Sequence, residues 1–221
     1  MTLAIFDLDN TLLAGDSDYL WGQYLVEHQI VDADLYEREN ERFYREYREG
    51  DLDIYEFLQF SLKPLADHSL EELYSWRYEF VETLVKPIVL PRAVELVEQH
   101  RQQEDTLLII TATNRFVTEP IAEVFGIENL LATDPELNAH GYTGRVAGTP
   151  CFQEGKVTRF NEWLAKTGIG LDGACFYSDS HNDIPLLNMV DRPIAVDPDD
   201  QLTSVASSKG WPVISLRNPV S

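Results

Sequence analysis

Basic residues are scarce in this chain: 17 Lys and Arg stand against 38 Asp and Glu, a net charge of −21. Phosphate backbones and anionic lipid surfaces select for Lys and Arg, so neither a nucleic-acid nor a membrane partner is expected. Cysteine is nearly absent. Cys151 and Cys175 are too few for a disulfide framework, and both read as buried thiols. No apolar run approaches the ~18 residues a membrane span requires. The first residues also lack the basic-then-apolar order of a secretory signal, so the expected location is the cytoplasm. The five histidines have no metal-ligand spacing, which argues against zinc. No internal repeat or low-complexity tract is present.

What remains is an ordinary globular composition, 44% hydrophobic over 221 residues, enough for one large domain or one domain carrying an insertion. Short apolar runs at 3–6, 107–110, 174–177, 194–196 and 213–216 read as buried parallel strands. Helical patterns at about 91–103, 116–125, 156–167 and 183–189 alternate with them. That rhythm predicts an α/β fold, a Rossmann-like parallel sheet with helices on both faces. One stretch breaks it. Residues 16–87 hold no convincing strand but carry 14 of the 24 aromatics, and Ser69 with Glu72 has the spacing of a capping box. This stretch reads as an all-helical insertion directly after the first strand, rising over the carboxyl edge of the sheet as a lid. The last residues, 217–221, read as a loose tail.

At that edge the sequence concentrates chemistry. The first strand ends in Phe6-Asp7-Leu8-Asp9-Asn10-Thr11-Leu12, two carboxylates where an apolar run stops. Ligands bind at the carboxyl ends of strands in such sheets. Thr111 follows the second run, Lys156 opens a later helix, and Asp179 and Asp183 follow the run ending in Phe176-Tyr177-Ser178. Singly, each has a plainer reading: a solvated turn, a helix N-cap or a surface charge. Jointly they suit phosphoryl transfer. Mg²⁺ takes a few protein oxygens and keeps its waters, while one lysine and one hydroxyl neutralise and position phosphate oxygens. An aspartate can attack phosphorus and split the reaction through an aspartyl-phosphate intermediate.

These motifs resemble the haloacid dehalogenase-like (HAD) superfamily, specifically its phosphoserine-phosphatase-like branch with a helical C1-type cap. The resemblance implies a core of residues 1–15 plus 88–221 and a cap of residues 16–87. It implies Mg²⁺ as cofactor, with Asp7 as nucleophile and metal ligand, and Asp9 as acid and base whose backbone carbonyl reaches the metal. Asp179 would bind the metal directly, and Asp183 through water or by orienting Lys156. Thr111, Ala112, Lys156 and Asn182 would line the phosphate or substrate site, with Asp16 as the cap acid and Arg115 as a cation from the following loop. Two features depart from the branch. Ala112 and Thr113 stand where its members commonly have glycines, and the segment 57–61 lacks the arginine that pairs with the carboxylate of phosphoserine. Such a cap suits an amine-bearing phosphomonoester, histidinol phosphate or phosphoethanolamine for example, as the small-molecule partner. A phosphotransferase or mutase with the same intermediate, and a phospho-Asp signalling switch, are the alternatives.

Overall fold

The computed structural model describes residues 2–217, so of the expected tail, 218–221 lie outside the described residues. Seven strands form one sheet: β1 (Leu3–Phe6), β2 (Thr106–Asn114), β3 (Asn129–Asn138), β4 (Gly141–Ala147), β5 (Cys175–Ser178), β6 (Arg192–Val196) and β7 (Val213–Ile214). Their order is β4-β3-β2-β1-β5-β6-β7, parallel throughout except for the antiparallel β3–β4 pair. β1 lies in the middle, paired with β2 on one side and β5 on the other, and all four of its residues are fully buried. Alternation sorts them. Ala4 and Phe6 join Leu107, Ile109 and Tyr177 in one core, while Leu3 and Ile5 join Leu108, Ile110 and Phe176 in a second. Both faces are therefore apolar, which is why the strands read as unbroken hydrophobic runs.

Between β1 and β2 come the helices α1 (Ser17–Glu27), α2 (Ala33–Glu49), α3 (Ile54–Ser61), α4 (Lys63–Asp67) and α5 (Leu70–Phe80). Asp16, Asp32 and Asp53 accept backbone N–H groups at the starts of the first three, and Ser69 with Glu72 closes the expected capping box on α5. Trp21, Tyr24 and Phe80 pack ring against ring inside this helical segment. The chain enters and leaves it side by side: Ala14 N donates to Ile88 O (2.7 Å) and Leu90 N to Leu12 O (3.2 Å). A second tie runs through a proline. Pro120 lies inside α7 (Arg115–Val124) and has no N–H to give to the carbonyl of Phe116 one turn earlier. Arg77 of α5 donates to that carbonyl instead, at 3.0 Å.

α6 (Pro91–Gln102) and α7 cover the first core, contributing Ala93, Val97, Phe116 and Ile121. α8 (Glu154–Thr167), the short α9 (Ile184–Leu187) and α10 (Asp200–Lys209) cover the second, through Phe160, Leu187, Leu202 and Ala206. Three elements differ from expectation. The β3–β4 hairpin and α10 had no sequence-based forecast. β2 runs on past Ile110 to Asn114, with an irregular register against β3 after Ile110.

Candidate active site

Asp7 directly follows the last residue of β1, and its backbone N–H donates to Tyr177 O (2.9 Å), holding it in line with the central strand. The residue is 4% exposed, and its carboxylate meets Lys156, itself 2% exposed, with Nζ 2.8 Å from Asp7 Oδ1. The same ammonium lies 2.7 Å from Asp183 Oδ1, and Asp183 Oδ2 accepts from the Ser178 hydroxyl at 2.7 Å. Lys156 stands in the first turn of α8, beside a tight approach. A Cβ on Gly155 would fall 2.0 Å from Pro150 O, so glycine is required next to the lysine. Thr11 ties the first motif to the last: its hydroxyl donates to Asp179 Oδ1 (3.0 Å) and accepts from Asp179 N (3.1 Å).

Asp9 points elsewhere. Its Oδ1 accepts from Ser17 N (2.6 Å), and its Oδ2 from the Thr113 hydroxyl (2.8 Å), with Thr111 Oγ1 at 3.5 Å. Because β2 continues to Asn114, Thr111 and Thr113 are alternate residues of one strand and face the same side. Sequence marks Thr113 only as standing where relatives have glycine, and its spacing from Thr111 is the signal that points to this role. Gln153 carries no motif in the sequence. It sits at φ +45°, a left-handed backbone unusual for a residue with a side chain, and donates through Nε2 to Asn182 Oδ1 (2.8 Å).

One pocket opens over these groups. Asp7, Asp9, Thr111, Ala112 and Thr113 form its floor, and Asp16, Asp18, Tyr19, Phe43, Tyr44 and Tyr47 from α1 and α2, with Asp16 just before them, contribute to its walls. Three of the residues expected there do not line it: Lys156, which is held on Asp7 and Asp183, Arg115 and Asn182. Arg115 pairs with Asp134 and donates to Leu130 O (2.9 Å), because β3 places both beside it. It supplies no cation to this pocket. Asn182 is likewise engaged: its amide donates to Tyr47 O (3.2 Å) while its carbonyl accepts from Gln153. Asp16 lines the pocket but spends Oδ1 on the N–H groups of Asp18 and Tyr19, both at 2.9 Å.

Acids outnumber bases here. Burial, then repulsion from Asp183 against the pull of Lys156, pushes Asp7 up to about 7. Burial, with Asp7 and Asp183 adding to it, raises Asp179 well above the usual carboxylate range. Burial and the nearby Asp16 push Asp9 up to about 6. A divalent cation between Asp7 and Asp179 would relieve both. Among the described residues no three His, Cys, Asp or Glu side chains gather as direct ligands of one ion. The Asp7 and Asp179 carboxylates remain, close enough for each charge to act on the other, and such hard oxygen donors fit Mg²⁺, which takes few protein ligands.

Comparison with known proteins agrees with this geometry. The haloacid dehalogenase-like hydrolase family matches residues 4–188. A histidinol-phosphatase of Neisseria meningitidis serogroup C is 47% identical over 219 residues, covering 97% of this chain and 99% of that protein. A solved structure from Bordetella pertussis Tohama I, of a protein with unknown function, has a TM-score of 0.91 at 44% identity and covers 98% of this chain and 100% of its own. A structure of a phospho-aspartyl intermediate analogue of phosphoserine phosphatase shares the fold, with a TM-score of 0.71 at 18% identity over 99% of this chain and 95% of that one. No helix among the described residues is long and apolar enough to cross a membrane. The chain belongs to the haloacid dehalogenase-like hydrolase family, and within it to the phosphatases that hydrolyse phosphoric monoesters.

Proposed function

We propose that the protein is a Mg²⁺-dependent phosphatase acting on a small phosphomonoester with a protonated nitrogen, histidinol phosphate being the substrate of choice. Asp7 and Asp179, with the Asp9 backbone carbonyl, would hold Mg²⁺, which would supply positive charge against the phosphate oxygens. Asp7 attacks phosphorus as the alkoxide leaves, giving an aspartyl-phosphate, and Asp9 gives its proton to the departing oxygen. Asp9 then takes a proton from water as that water attacks the phospho-aspartate. Lys156 and the Thr111 hydroxyl hold the transferring group, and Asp183 fixes Lys156. The helices of residues 16–87 act as a cap that excludes bulk water during this sequence.

The observation that carries the substrate reading is the lining of the pocket: four carboxylates, Asp7, Asp9, Asp16 and Asp18, and no Lys, Arg or His among its lining residues. Phosphoserine would bring a further carboxylate into that field with no cation to receive it. The name of the Neisseria relative, identical at 47% of positions over nearly its full length, supports the same choice. Phosphate release from histidinol phosphate and from phosphoserine, each with Mg²⁺ or with chelator, tests it. Steady turnover is expected with Mg²⁺ and loss of activity in chelator. kcat/KM for phosphoserine should be lower by about 10-fold or more, the cost of an unpaired charge against a paired one. Equal use of the two substrates would contradict the substrate, and full activity in chelator would contradict the metal.

A further inference from the structure

Gln153 holds an unfavourable backbone. At φ +45° and ψ −119° only glycine is at ease, yet a long side chain stands there, one residue ahead of α8. Strain of this kind persists where the surroundings impose it, and it is often tied to function. Here the side chain has one partner: Nε2 donates to Asn182 Oδ1 at 2.8 Å. That contact fixes which way round the Asn182 amide lies, so Nδ2 faces Tyr47 O, at 3.2 Å. Tyr47 belongs to the last turn of α2, where carbonyls run short of helical N–H groups. Gly50 N reaches this carbonyl at 3.2 Å, and Asn182 supplies a second donor from the core. Two further contacts fall at the same place. The Phe152 ring lies 5.9 Å from the Tyr47 ring, and a Cβ on Gly50 would come within 2.9 Å of His181 Nε2. The end of α2 thus rests on two core segments, one just before Lys156 and the other between Asp179 and Asp183. α2 in turn carries Asn40, Phe43, Tyr44 and Tyr47, all of which line the pocket.

We propose that Gln153 is a positioning residue that acts through Asn182 to tether the end of α2 to the core, keeping the aromatic wall over the reacting groups. The inference rests on the reading of residues 16–87 as a cap. It gives Asn182 a task other than the phosphate contact that the resemblance implies: the amide is spent on the cap backbone. Releasing the tether lowers the share of molecules with a closed pocket, and apparent affinity falls with that share.

The test uses the whole chain with Mg²⁺ and histidinol phosphate, comparing the wild type with Gln153→Gly and Gln153→Glu. Glycine removes the side chain and suits the backbone; glutamate keeps the length but offers only acceptors to Asn182 Oδ1. Gln153 O accepts from Lys156 N at 3.0 Å, a backbone bond that both variants keep. In each, kcat/KM should fall about 5- to 10-fold, the worth of one hydrogen bond, and mainly through KM. Backbone hydrogen exchange over residues 47–51, measured without substrate, should quicken by a similar factor. Gln153→Gly should nevertheless melt no more than about 2 °C below the wild type, because relief of strain offsets the lost bond. Unchanged exchange at 47–51 in Gln153→Gly overturns the inference whatever the kinetics, and so does an unchanged kcat/KM in that variant. A melting temperature lower than that limit overturns it too, since Gln153 would then serve the fold and not the cap. A wild type that fails to turn over histidinol phosphate overturns the substrate reading alone, and exchange at 47–51 still decides the inference.

Discussion

Asp7→Asn is expected to lower phosphate release by about 10⁴-fold or more, with the protein still folded, because it removes the attacking oxygen while keeping the shape of the side chain. Substrate binding should survive, so the loss falls on kcat. The same variant has a second signature. In the metal-free protein Asp7 is raised from 3.8 to about 7, so the folded state holds its proton more tightly than the unfolded state does. Stability from that difference is fully present below about pH 4 and is lost as pH rises through about 7. Asparagine does not ionise, so metal-free Asp7→Asn should lose less stability than the wild type between those limits. Denaturant midpoints at pH 4, 6 and 8 in chelator check this. A wild-type midpoint that rises across that range relative to the variant would contradict the placement of Asp7 in an acid-rich, buried cluster.

Lys156→Met should cost the most stability of any single change in the site. The ammonium is buried between two buried carboxylates, 2.8 Å from Asp7 and 2.7 Å from Asp183, so its removal leaves both unpaired. Breaking a buried pair of this kind costs about 3–5 kcal/mol. Near-equal volume makes methionine a test of charge and not of packing. The deficit should shrink at pH 5, where Asp7, raised by burial and no longer held by the ammonium, takes up a proton, and widen at pH 8. Activity should fall as well, since Lys156 also holds the transferring group. Urea unfolding at the two pH values gives the result, and a variant as stable as the wild type at pH 8 would show that the pair contributes nothing to the fold.

Sequence reading reached the central strands and the six polar positions, Asp7, Asp9, Thr111, Lys156, Asp179 and Asp183, that gather near their ends, and the reason is physical. A strand buried on both faces must be apolar at every position, so Leu3–Phe6 stands out, and the abrupt appearance of Asp7 marks its end. β3 and β4 have no such contrast. Asn129–Asn138 is buried only at Leu131, Ala132 and Thr133, contains Pro135, and pairs with a strand that has no buried residue. That omission led directly to the misplacement of Arg115, whose partner Asp134 lies on β3. α10 hides for a related cause: Leu202 and Ala206 are its only buried residues among those described, too sparse for a helical period, although Asp199 before it and Gly210 after it are good end signals. The tie between Asn182 and Tyr47 was invisible because a backbone carbonyl on a helix has no signature in sequence. Asp16 was legible as an acid near the site, and the two backbone N–H groups that occupy its carboxylate needed coordinates.

The account turns on a phosphoryl group carried by the carboxylate at the end of β1. Borohydride added during turnover reduces an aspartyl-phosphate to homoserine, and peptide mass spectrometry then reads which residue was converted. Homoserine at position 7, formed when Mg²⁺ and histidinol phosphate are both present and absent when either is withheld, is the predicted result. Sustained phosphate release with Asp7 unconverted, or conversion at another aspartate, would contradict it.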